Sequence, residues 1–384
     1  MKDFVFVSYP IKCALKNYRD TEKKVANRLF NNKIKAIYTS SVVSYPGISD
    51  IDMLIVVKNN SARLRSLWFD KKQNYMICHP FYIIDGYIME NIRWVYPDFR
   101  LNLMKGQAVN INQPNANELK AIKIILMIDV TLRHFPSDYI ELLKSNMITV
   151  RNTLLRLNSL NHTISTYKSL GLRKKAWDSY TKESENLRKI WFRLSTDDQN
   201  KSLTKLLKNA TSVSIDLIQE LSTYLKKNNI VKILSSDKEL VYDGEQNKAI
   251  FVKDWNKESA LDRMLNSKKY YSILPLNFVP LLLEYSKENG LLSNYIRKHL
   301  KAKKITYQIN HKEVIRKRIK LFNHQADLAY KMKHRHFTAF FDYGYKSTGG
   351  FINKGSYILR NLKNNKLFKD IMFIFASMKK DDYN

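Results

Sequence analysis

Cysteine is nearly absent from this chain: only Cys13 and Cys78 occur in 384 residues. Two thiols exclude a disulfide framework, and neither has a partner at a spacing suited to a metal, so a reducing, cytoplasmic setting is expected. Long apolar runs are also missing. The start, "MKDFVFVSYP", is interrupted too soon for a signal peptide, and "ILPLNFVPLLLEY" and "IMFIFASM" fall short of the ~20 residues of a membrane span. Acidic residues are scarce, with 35 Asp and Glu against 66 Lys and Arg, a net charge of +31. Such an excess points to a polyanionic partner, nucleic acid before an acidic membrane, although an abundance of Lys, Asn and Ile is equally consistent with a compositional bias. The 44% hydrophobic content excludes a disordered chain and is enough for two or three domains.

Neither an internal repeat nor a low-complexity linker divides the chain. Residues 1–112 read as strands alternating with helices: a helix over Cys13–Asn31, a strand in "KIKAIYTS", a second in "DIDMLIVV", a short helix in "SARLRSLWF" and a third strand in "YMICHPFYIID". Residues 113–229 carry apolar positions three and four apart in "NANELKAIKIILMIDVTLRHF", "SDYIELLKSNMITVRNTLLRLNSL", "ESENLRKIWFRL" and "SLTKLLKNATSVSIDLIQELSTYLKK", which predicts a helical bundle. Residues 230–384 open on an apparent hairpin, "KELVYDGEQNKAIFV", and continue with helices around Val279–His299 and Val314–Tyr330. The expected fold class is α+β, a mixed sheet with helices followed by a helical bundle and a basic mixed C-terminal region.

The chemistry concentrates in "YTSSVVSYPGISDIDMLIVV". Residues two apart on a strand share a face, so Asp50 and Asp52 project together at the start of an apolar run that reads as a buried central strand. Carboxylates so placed repel one another unless hydrated, paired or bridged by a cation that takes oxygen ligands, Mg²⁺ or Mn²⁺.

With a strand ending in Tyr38-Thr39-Ser40-Ser41, a Pro46-Gly47 turn and Asp50-Ile51-Asp52 opening the next strand, the stretch resembles the signature of the DNA polymerase beta-like nucleotidyltransferase superfamily, in its small bacterial form. The direct match covers about twenty residues. The resemblance implies a nucleotidyltransferase-type sheet, Ser40 and Ser41 at the nucleotide's phosphates, Asp50 and Asp52 as metal ligands, and an NTP as substrate. It also implies a third carboxylate that ligates metal and takes the acceptor's proton; Asp85, closing "CHPFYIID", is the first candidate, with Glu90 and Asp98 as alternatives. Thr39 stands where the signature has glycine, and its side chain narrows the backbone's approach to a phosphate.

The densest basic stretch, Ile296–Phe337, interleaves Arg297, Lys301, Lys304, Arg316, Lys317 and Arg318 with Tyr307, Phe322 and Tyr330, the pattern of a single-stranded nucleic-acid binder. The expected function is Mg²⁺- or Mn²⁺-dependent transfer of a nucleoside monophosphate to a hydroxyl acceptor, RNA first, with a protein or small-molecule acceptor as alternatives. A nucleic-acid-binding protein that keeps this fold without activity is the competing class. Other motifs carry less: "YGYKSTGG" lacks the glycine before the lysine that a P-loop needs, Ser165–Lys168 has a helical setting, His334 and His336 lack further ligands, and His79 lies in an apolar run.

Overall fold

The computed structural model describes residues 4–40, 43–58, 69–77, 81–145, 147–234, 238–244, 248–267, 271–301, 305–331 and 337–339. After the short strand β1 (Val5–Val7), helix α1 (Leu15–Leu29) buries Tyr18, Thr21, Val25 and Leu29, spaced three and four apart, against the sheet that follows. That sheet takes β2 (Ile34–Thr39) and β3 (Met53–Val57), the latter buried at every position as a strand covered on both faces must be. Helix α2 (Lys71–Met76) occupies part of the stretch expected to be strand. Asp70 accepts from the Gln73 amide at 2.7 Å, and the Gln73 side chain accepts from the Asp70 amide, so a capping box commits Tyr75 and Met76 to helix. Strand β4 (Phe81–Asp85) starts only afterwards and leads into α3 (Gly86–Glu90) and β5 (Asn102–Gly106). The helix expected in "SARLRSLWF" lies outside the described residues except at Phe69.

The bundle comprises α4 (Ala116–Arg133), α5 (Ser137–Ser145), α6 (Val150–Ser169), α7 (Lys175–Ile190) and α8 (Thr196–Lys227). A capping box of Asn115 and Glu118 opens α4. The helix expected across 137–160 is interrupted by β6 (Met147–Thr149), which pairs in parallel with β1 and so ties the bundle to the N-terminal residues.

Beyond the bundle come β7 (Val231–Ile233), the antiparallel pair β8 (Glu239–Asp243) and β9 (Lys248–Val252), α9 (Lys257–Asn266) and β10 (Ser272–Pro275). They are followed by α10 (Val279–Lys287), α11 (Leu291–His299), β11 (Leu300–Lys301), β12 (Tyr307–Ile309), α12 (Lys312–Lys331) and β13 (Phe337–Ala339). The hairpin thus forms as expected.

This third stretch does not stand apart from the first. β13 joins the N-terminal sheet, whose order is β13-β4-β3-β2-β5, with β13, β4 and β3 parallel and β2 antiparallel to both of its neighbours. Helix α12 packs on β4 and α4. Its Arg318 donates to the carbonyls of Trp94 and Val95 and pairs with Asp129 of α4, which also accepts from Tyr285 of α10 at 3.2 Å. The architecture is mixed α+β. Among the described residues no helix is long and apolar enough to cross a membrane.

Candidate functional site

The two aspartates are delivered by a turn locked in place by side chains from three other elements. Gly47 adopts φ +92°, and a Cβ there would lie 2.3 Å from the Ile11 carbonyl oxygen, so glycine is required. The Tyr18 hydroxyl of α1 donates to the Ser49 carbonyl at 2.8 Å and accepts from the Gly47 amide at 3.0 Å. Burial, above all, lifts the Tyr18 phenol to about 12, so it remains a donor at any physiological pH. The Tyr75 hydroxyl donates to the Gly47 carbonyl and accepts from the Ile11 amide at 2.7 Å. Arg151 of α6 donates to the carbonyls of Ile48 (3.1 Å), Ser49 (2.8 Å) and Tyr75, with its guanidinium 4.0 Å from the Tyr75 ring centre.

From this turn the chain enters the sheet. The Ile51 amide donates to the Met76 carbonyl at 2.9 Å and the Ile51 side chain is buried, leaving Asp50 and Asp52, both half-buried, to alternate with it. The Ser40 amide donates to the Asp52 carbonyl at 3.1 Å, one rung beyond the Thr39 and Met53 pair, so Ser40 stands directly opposite Asp52. Directly opposed residues have Cβ atoms about 5 Å apart, which brings this serine and this carboxylate to one locus. Thr39 is 4% exposed and, by strand alternation, faces away from Ser40, so its side chain does not stand between Ser40 and a ligand.

Helix α7 brings a second arginine to the turn. Arg188 is 6% exposed, donates to the Ser49 hydroxyl at a long 3.4 Å and lies 4.4 Å from the Tyr45 ring centre. Burial lowers its pKa first, opposed by Tyr45, Asp50 and Glu185. His162 is open to solvent but walled by protein, and its pKa is lowered first by burial and then by Arg188, against the pull of Asp52. The Ser49 contact sets the Arg188 guanidinium next to Asp50 in the chain, and the His162 imidazole is coupled electrostatically to Asp52 and Arg188. Arg151, His162 and Arg188 carried no signal in the sequence, because each is one polar residue on an amphipathic helix about a hundred positions or more from the turn it meets.

Asp85 does not join them. β3 and β4 run parallel with Val57 beside Asp85, so Asp85 lies at the other end of the sheet, about five residues or roughly 16 Å from Asp52. Its carboxylate caps α3 through the Ile88 amide at 3.0 Å and pairs with His324 Nε2 of α12 at 2.5 Å. Glu90 closes α3, which starts where Asp85 ends β4, while Asp98 is mostly exposed and pairs with Lys123 at 3.4 Å. Among the described residues no group of three or more His, Cys, Asp or Glu converges as a metal site. The oxygen donors present, two half-buried carboxylates, fit a hard cation completed by phosphates and water, which is how Mg²⁺ is ordinarily held.

The expected basic surface is thinned. Arg318 is fully buried and neutralised by Asp129, because α12 is a core helix and this position falls on its inner face. Lys317 rests 3.3 Å from the Trp94 ring centre, and Arg297 donates to the carbonyls of Ser286 and Glu288 that close α10. Arg316 is exposed. Lys301 lies in β11, and Ser41, His79, Lys304, His334, His336 and "YGYKSTGG" lie outside the described residues. Ser165–Lys168 is helical, within α6. Compared with protein-family models, curated proteins and solved structures, the chain matches none.

Proposed function

We propose that the protein is a metal-dependent nucleotidyltransferase that moves a nucleoside monophosphate from an NTP to a hydroxyl acceptor. The observation that carries this is the placement of Ser40 directly opposite Asp52, beside Asp50, on a turn whose backbone is held by Tyr18, Tyr75 and Arg151. Preorganisation of this kind is what group transfer needs, since most of the catalysis of phosphoryl chemistry lies in positioning and charge. Asp50 and Asp52 would hold Mg²⁺ or Mn²⁺, which when bound neutralises phosphate charge and lowers the pKa of an attacking hydroxyl. The Ser40 hydroxyl donates to a phosphate oxygen, its amide being already engaged in the ladder. RNA is the acceptor favoured by the net charge of +31.

One observation favours a second reading, a nucleotide-binding protein that performs no transfer: Asp85 is absent from the acidic pair's end of the sheet. Calorimetric titration of each NTP with Mg²⁺ tests what both readings share. Saturable binding that is lost in Asp50→Asn is expected; no binding of any NTP would remove both readings. Transfer of label separates them.

A further inference from the structure

We infer that Arg188 anchors a subsite for a condensed phosphate, the pyrophosphate end of the nucleotide, built by the helical bundle and not by the strand-turn-strand stretch. This rests on the nucleotidyltransferase reading and extends it. A guanidinium carries five N–H donors and one permanent charge. Arg188 is buried, yet among the described residues its contacts are poor for that inventory: one 3.4 Å bond to the Ser49 hydroxyl, one stacking contact with Tyr45 and a buried Nε with no partner. No ion pair among the described residues neutralises it, in contrast to Arg318, which has Asp129.

A neighbour on the same turn sharpens the point. Arg151 is comparably buried, but its guanidinium is spent on three backbone carbonyls. It satisfies the requirement of the fold for an anchor at this turn. Arg188 adds only the weak Ser49 contact, so anchoring does not account for a desolvated cation at this position. Its contact with Ser49, the residue before Asp50, sets the guanidinium beside the start of the acidic pair, and its electrostatic coupling to Asp50 and Glu185 agrees with that position. An anion meeting Arg188 would therefore sit next to a phosphate whose charge a cation on Asp50 and Asp52 neutralises. At 6% exposure Arg188 is out of reach of the backbone of a folded nucleic acid, which limits its partner to a compact anion. The planar fork suits two phosphate oxygens at once.

The inference is tested with inorganic pyrophosphate in metal-free, chelator-treated buffer, using the full chain. The wild type should bind saturably, and Arg188→Gln should lose about tenfold or more in affinity, with Arg188→Lys between them. Asp50→Asn leaves Arg188 intact and removes the carboxylate that competes for it, so it should bind metal-free pyrophosphate more tightly than the wild type. This arm holds even where Arg188→Gln folds poorly, and ligand-induced thermal shifts, read against the baseline of each variant, give a second readout. Equal affinity in wild type and Arg188→Gln, or weakened binding in Asp50→Asn, would overturn the inference. Arg188-dependent pyrophosphate binding without any label transfer supports the subsite while removing the transferase reading. Transfer that proceeds equally with and without Arg188 removes the subsite alone.

Discussion

The amide of Ser40 donates to the carbonyl of Asp52 at 3.1 Å, which fixes a serine hydroxyl and a carboxylate on neighbouring strands at one end of a buried sheet. Because both are half-buried and neither fills the core, they can be altered without dismantling the scaffold. Asp52→Asn should reduce nucleotidyl transfer by at least about 100-fold, while leaving the metal-free melting temperature unchanged or slightly raised, since it relieves repulsion with Asp50. Ser40→Ala should cost about tenfold, the worth of one hydrogen bond to a charged group. Steady-state transfer rates and thermal melts of the same preparations check both.

Gly47 is the hinge of the presenting turn. Gly47→Ala forces a left-handed backbone on an L side chain and drives its Cβ into the Ile11 carbonyl, a backbone atom that cannot step aside. A loss of about 1–3 kcal/mol in stability is expected, with transfer falling further than stability because the acids are displaced. Denaturant melts alongside activity measure the split.

Arg318 and Asp129 form a buried ion pair with no solvent to replace either partner. Arg318→Met should destabilise by about 3–5 kcal/mol, and adding Asp129→Leu should recover much of that, because the cost comes from the orphaned charge. Nucleic-acid affinity, measured on whatever fraction remains folded, should not change through this residue. Reversal of the exposed Arg316, by contrast, should weaken RNA binding and lower the slope of log affinity against log salt by about one.

His324 and Asp85 tie α12 to the sheet, and their titrations bracket the pH range over which this tie holds. Burial raises the Asp85 carboxyl, but the His324 hydrogen bond, the Ile88 amide and the imidazole charge outweigh it and bring the group below its ordinary value. His324 is raised chiefly by the Asp85 hydrogen bond, against burial and Lys331 and with help from Asp327. The stabilisation from His324 is therefore complete at acid to neutral pH and disappears as pH rises through its elevated pKa; that from Asp85 disappears as pH falls through its depressed pKa. His324→Gln should cost roughly 1 kcal/mol between those limits, discounted for partial exposure, and converge with the wild type once pH has risen through the elevated His324 pKa. Melting temperatures across pH check this.

Local pattern made part of this legible. The unbroken apolarity of Met53–Val57 announced a central strand, the three-and-four spacing announced the bundle, and Asp243-Gly244 marked the β8–β9 hairpin. Direction and long-range pairing were not legible. Nothing local distinguishes a parallel from an antiparallel β4, yet that choice sends Asp85 to the opposite end of the sheet from Asp52. Tyr75 and Met76 read as strand by apolarity, and the Asp70–Gln73 capping box overrode them. Arg318 read as surface because its neighbours are basic, whereas its burial depends on Asp129, 189 positions earlier. Arg188 was silent for the same reason: its partners Tyr45 and Ser49 are close only in space.

Incubation of the full chain with each α-³²P-labelled NTP, Mg²⁺ and total cellular RNA or lysate protein, beside Asp50→Ala, tests the central claim most directly. Label transferred to a macromolecule by the wild type and not by Asp50→Ala is the predicted result. No transfer with any nucleotide or either metal, from a preparation that binds NTP, would contradict it and leave nucleotide binding as the function of the site.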